Sequence, residues 1–232
     1  MSIGKWILSE ETSLQDDAYV GATSTSNYLA ARNRYTGTSR VDWSSSSVSG
    51  IWCVRSSGRG GGYNWYNYRS LFSFDLLGEA NRQVDQAKIK IKVGRYGGSG
   101  INYLKTCLVL MVEAMAGNTG DYDGMLDGSD NMLLISDIIT LPLIGNTVQE
   151  YTLNSTGIDE INKITCSTLT PAGSSRYYEV ALVSYTYDYL KTDPVSNSLR
   201  ARVYYQEEGG SDTPRLGIGY ADYANTSLGV NF

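Results

Sequence analysis

Ala87-Lys-Ile-Lys-Ile-Lys-Val93 alternates without a break, with Ala87, Ile89, Ile91 and Val93 on one side and three lysines on the other. That period of two predicts a strand with one buried and one solvated face. Just before it, Arg69-Ser-Leu-Phe-Ser-Phe-Asp-Leu76 repeats the pattern, and Phe72, Phe74 and Leu76 make one wholly apolar side. Further strands are predicted at residues 18–20, 28–31, 51–54, 103–114, 133–141, 148–153, 177–187, 199–205 and 215–220, with turn residues between them. One short helix is predicted over residues 156–163, where Ile158, Ile161 and Ile164 recur at threes and Asp159 and Glu160 suit the positive N-terminal end of the dipole. About ten or eleven strands and one short helix predict an all-β, two-sheet antiparallel β-sandwich of the jelly-roll kind.

Composition agrees. Among 232 residues, 25 are glycine and 19 are tyrosine, which favours strands and turns over helices. No repeat and no Pro/Gly linker divides the chain, so residues 17–232 read as a single domain. Residues 1–16 read as an N-terminal docking arm carrying Trp6, Ile7 and Leu8, or as a first edge strand. The net charge of −5 argues against a general nucleic-acid binder, with only a sparse basic group at Arg32, Arg34 and Arg40. No apolar run approaches the ~18 residues of a membrane span; residues 132–143 come nearest and are interrupted by Ser136, Asp137 and Pro142. The first residues lack the apolar stretch of a signal peptide, so no export signal is expected.

The chain has no histidine, which excludes Ser-His-Asp and Cys-His nucleophiles and every histidine-containing metal site. Cys53, Cys107 and Cys166 form no paired motif and read as buried free thiols. Val93-Gly-Arg-Tyr-Gly-Gly-Ser-Gly100 resembles a nucleotide loop only superficially, because a β-rich run follows it rather than a helix. It reads as a hairpin turn. Arg59-Gly-Gly-Gly62 fails as a phosphate cradle for the same reason.

Two stretches offer candidate sites. In Tyr63-Asn-Trp-Tyr-Asn-Tyr68, the rings of Tyr63, Trp65, Tyr66 and Tyr68 suit stacking on sugar or contact with a partner protein, or tuck over a sheet edge. Asp121, Asp123, Asp127 and Asp130 lie in a glycine-rich acidic stretch. It reads as a solvated loop, as a structural Ca²⁺ site supplying hard oxygen ligands, or as the paired carboxylates of a glycoside hydrolase.

Taken in order, these strands resemble the DNRLRE-type (disaggregatase-like) jelly-roll domains. Asp17-Ala-Tyr-Val20 with Ser26-Asn-Tyr-Leu29 looks like the family's opening motif, and Arg69–Leu76 is similar to its hallmark strand. Residues 84–93 resemble the strand after it, the helix at 158–164 matches in position, and residues 202–208 with 214–220 look like the closing motif. The acidic stretch and a long segment at 35–68 depart from the family pattern. The resemblance implies a non-enzymatic, adhesive or carbohydrate-binding module. The resulting expectation is a phage virion structural protein: a capsid decoration, vertex or tail-associated jelly roll that contacts other virion proteins, forms a homo-oligomer and meets a host glycan. A stand-alone carbohydrate-binding module is the alternative, and a glycoside hydrolase the third reading.

Overall fold

The computed structural model describes residues 3–9, 18–42, 49–57, 61–95, 104–116, 118–141, 146–166, 176–194, 199–203 and 213–221. Most of the expected arm, part of the glycine run at 58–60, and residues 96–100 lie outside them. The strands in chain order are β1 (Lys5–Leu8), β2 (Ala18–Ser24), β3 (Ser39–Asp42), β4 (Ser49–Ser57), β5 (Tyr63–Asp75) and β6 (Val84–Arg95). They continue as β7 (Lys105–Leu110), β8 (Ile139–Thr140), β9 (Asn146–Thr152), β10 (Tyr177–Ser184), β11 (Leu199–Val203) and β12 (Arg215–Tyr220). Helix α1 (Tyr28–Arg32) lies between β2 and β3, and α2 (Ser155–Thr165) between β9 and β10.

Every pairing is antiparallel, and the two longest strands organise the rest. Lys88 of β6 faces Thr152 of β9 on one edge and Gly217 of β12 on the other; further along, Val93 pairs with Val203 of β11. Leu71 of β5 faces Ala18 of β2 on one edge and Ala181 of β10 on the other, while the start of β5 pairs with β4. Strand β11 joins β4, so the hydrogen-bonded path is continuous and doubles over into two packed antiparallel sheets. This is the expected two-sheet sandwich. Ile89, Ile91 and Val93 meet Phe72, Phe74, Val180, Leu182, Leu216 and Ile218 in the core between them. Each such fully buried side chain contributes about 1.5–3 kcal/mol.

A second core of Val20, Leu71, Cys107, Val109, Ala181 and Val183 lies on the other face of the β5–β10–β7 sheet, covered by Tyr122, Met125 and Met132. Strand β10 is therefore buried on both faces from Tyr178 to Ser184.

Several expectations change. Residues 28–31 form a helix, not a strand: Asn27 Oδ1 accepts the Ala30 N–H at 2.8 Å, and Leu, Ala and Arg favour helix once so capped. The described residues thus hold two α-helices and 12 strands. Helix α2 runs slightly beyond its predicted bounds at both ends. Among the described residues β6 and β7 do not pair with each other, and the glycine-rich stretch after β6, predicted as a hairpin turn, lies outside them. Among the described residues no helix is long and apolar enough to cross a membrane.

Trp6, Ile7 and Leu8 lie in β1, an edge strand paired with β12. Ile7 packs on the core. The Trp6 ring covers Gly217, where an added Cβ would come within 2.6 Å of it, and Lys90 and Arg215 approach the same ring. The buried Glu79 carboxylate ties this edge down by accepting from Lys5 and Tyr220, with Arg82 at 3.4 Å. Burial alone would raise its pKa, but the hydrogen bonds from Lys5 and Tyr220 and the nearby positive charges outweigh that and hold it below the ordinary value. A depressed carboxyl pKa stabilises above the ordinary glutamate value of about 4.3, and that stabilisation is lost as pH falls through the lower, folded value. With Lys5 and Arg82 half exposed, it is worth about 1 kcal/mol at most. Hydrogen exchange, corrected for intrinsic rates, should show β1 amides losing protection in acid before those of β6, and Glu79→Gln should produce the same loss near neutrality. Equal protection of β1 at both pH values would refute this.

Candidate functional site

The aromatic run is strand, not loop, because β2 and β4 pair with β5 from its two edges through residues 65–68. Its rings therefore alternate and do not form one platform. Tyr63 and Trp65 share a side and meet edge to face at 6.0 Å between centroids. The Arg55 guanidinium sits 4.4 Å over the Tyr63 ring. Trp65 leans on the core, whereas Tyr63 is 45% exposed beside the glycine turn. In that turn Gly61 has φ +84°, and an added Cβ at Gly61 or Gly62 would meet nothing within 4 Å.

Tyr66 and Tyr68 take the opposite side. Tyr68 lies over Gly21, its cross-strand partner, where a Cβ would stand 2.4 Å from the ring. Glycine is required there, and Tyr68 is a packing residue. Tyr66 instead lines an open groove of about 470 Å³ formed with Thr23, Ser24 and Thr25 at the end of β2, Ala30 of α1, Arg34 just beyond it, and Asn64. The Arg34 Nη1 donates to the Thr23 carbonyl at 2.9 Å, and Ser24 Oγ accepts the Ser26 N–H at 3.1 Å. Hydroxyls, an amide, a guanidinium and a ring converge on a volume typical of small-molecule sites. None of the described lining residues is acidic.

Tyr66 stands out in the sequence, in the aromatic run, but the other residues of this groove do not. Residues 23–25 pass for an ordinary turn and Arg34 for a scattered surface charge. What unites them is the register Thr23 to Tyr66 and Ser24 to Trp65, which no local pattern announces.

The four aspartates do not converge. Asp121 is buried and caps a short turn, accepting from the Ala116 N–H at 2.6 Å and the Asn118 N–H at 3.2 Å. Asp127 accepts the Ser129 and Asn131 N–H groups at 2.8 and 2.9 Å, and these bonds hold its carboxyl below the ordinary range. Asp130, in the left-handed region at φ 59°, accepts from Asn33 at 2.9 Å. At Asp123, burial pushes the carboxyl up. Among the described residues no three acidic, His or Cys side chains come close enough to hold a metal ion. The Ca²⁺ set is not assembled, because turn and capping geometry points the Asp121 and Asp127 carboxylates at neighbouring backbone N–H groups and Asp130 is turned to Asn33.

A polar knot occupies the interior instead. Arg69, fully buried, makes a bidentate pair with Asp188 at 2.7 and 2.8 Å. It also donates to the carbonyls of Tyr122 and Arg32 and stacks 4.2 Å over the Tyr122 ring. Arg32, from the sparse basic group, is likewise buried, with Nε 2.5 Å from the Asp188 carbonyl. Asn67 bridges Tyr122 and Tyr28, and the Cys53 thiol donates to it at 3.1 Å. Burial pushes that thiol up to about 12, so it stays protonated. Cys53 and Cys107 are buried as expected, but Cys166 at the end of α2 is exposed. The knot ties α1, β5, the turn at 119–122 and a single π turn at Tyr185–Tyr189 into one unit, which fixes the wall of the groove from behind.

No protein-family model matches the chain, and no curated protein matches it.

Proposed function

We propose that the chain is a non-enzymatic recognition protein whose working end is the tip of the β4–β5 hairpin and the groove beside it, and that a saccharide binds there. One observation carries this reading: the first residues of β5 place Asn64 and Tyr66 in a polar groove and the Arg55–Tyr63–Trp65 cluster on the opposite side. Saccharides are held by an aromatic face against the ring and by hydroxyl, amide and guanidinium groups around it. Titration with a glycan library should find a ligand, and Tyr66→Ala should weaken it about threefold to tenfold, the worth of one aromatic stack, with unchanged melting temperature. Equal affinity in the folded variant would sink the groove as the site.

The setting proposed for this module is a phage virion, as a decoration, vertex or tail-associated component assembled in several copies. That proposal rests on the resemblance carried by Arg69–Leu76 and the flanking motifs. Mass spectrometry of purified particles should find the chain at many copies per particle. Its absence from particles, with glycan binding intact, would leave the stand-alone carbohydrate-binding module.

A further inference from the structure

The groove is not electrically neutral. Arg34 stands at its rim, exposed, and no carboxylate among the described residues pairs with it or lines the groove. Its side chain is nevertheless placed, because Nη1 is committed to the Thr23 carbonyl at 2.9 Å. Among the described residues nothing else takes up the remaining N–H donors of the fork. A guanidinium so held suits a planar or tetrahedral oxyanion, which it can grip through two hydrogen bonds at once. Around it, Tyr66, Thr23, Thr25 and Asn64 line the same groove.

We infer that the groove selects saccharides bearing an anionic oxygen group, with Arg34 holding the anion and Tyr66 stacked on the sugar ring; this rests on the saccharide reading above. Carboxylate, sulfate and phosphate share the chemistry that Arg34 recognises. The chain's overall charge of −5 repels anions in general, so a preference for them reports the local guanidinium and not a diffuse field.

The test is an array on which neutral glycans stand beside their sialylated, uronate-containing, sulfated and phosphorylated counterparts, probed with the wild-type chain, Arg34→Gln, Arg34→Lys and Tyr66→Ala. The wild type should bind the anionic member of a matched pair about tenfold more tightly, the scale of one charge-assisted hydrogen bond. Added salt should reduce that preference. Arg34→Gln should bring the anionic and neutral members of each pair to equal affinity, whatever the change in neutral binding, and Arg34→Lys should keep part of the preference. The counterpart that binds best identifies the anion. Neutral and anionic glycans bound equally, or an anionic preference that survives in Arg34→Gln, overturns this inference and leaves the saccharide reading standing. No glycan retained by the wild type overturns both.

Discussion

Replacing Asp188 by alanine should remove about 3–5 kcal/mol of stability, the cost of leaving a buried ion pair with one partner missing. Two guanidinium groups, Arg69 and Arg32, have no exposed side-chain surface, and Asp188 is the carboxylate both of them face. The two are not equally served. At Arg69 burial pulls the pKa down, but the paired carboxylate more than restores it. At Arg32 burial wins and the pKa falls despite Asp188. The geometry agrees, since Arg32 Nε is 3.4 Å from Asp188 Oδ1 and its Nη2 has no hydrogen-bond partner. A cost follows from this asymmetry: Arg69→Met should be severe, because it strands the carboxylate, while Arg32→Met should cost least, because it removes an incompletely satisfied group. Urea denaturation of the three variants gives the order Asp188→Ala, Arg69→Met, Arg32→Met, from most to least damaging. An Asp188→Ala midpoint close to wild type would show that the charges are compensated in some other way.

The contrast between β6 and β5 shows what could be read in the sequence. In β6 the lysines keep one face wet, so the alternation is complete, and Ala87, Ile89, Ile91 and Val93 are buried as predicted. In β5 both faces are covered, so Leu71 and Ser73 are as buried as Phe72 and Phe74, and the alternation marks only one of the two cores. Its first residues pass for a loop, because glycines precede them and the pairing that makes them strand comes from β2 and β4. The knot was illegible for a different reason. Arginine is ordinarily read as surface, and the partner of Arg69 lies 119 residues away. The groove shares that difficulty, being assembled from β2, α1 and β5 by register alone. The acidic stretch misled in the opposite direction: aspartates at short spacing suggest a cation, yet the same spacing serves turns, and Asp121 and Asp127 are taken by backbone N–H groups.

Gly157→Ala, in the first turn of α2, separates local propensity from packing. Propensity favours alanine by about 1 kcal/mol in a helix interior. Packing opposes it: a Cβ at Gly157 would stand 2.8 Å from the Ile135 carbonyl oxygen and 3.2 Å from the Cβ atoms of Ile135 and Leu153. None of these can retreat easily. The Ile135 carbonyl accepts the Asn154 N–H at 2.9 Å, and its own N–H donates to Leu108 at 3.1 Å. Asn154 in turn caps the helix by accepting the Gly157 N–H at 3.0 Å. Relief therefore requires α2 to lift from the sheet, drawing Ile161 out of the core and disturbing the cap together. Overpacking of this kind costs about 1–3 kcal/mol, so the net change should be a loss of about 2 kcal/mol in chemical denaturation. Gly62→Ala is the matched control, since a Cβ there meets nothing within 4 Å; it should be neutral or gain up to about 1 kcal/mol through the unfolded chain. If Gly157→Ala stabilises as Gly62→Ala does, α2 is not seated on Ile135 as closely as the structure shows.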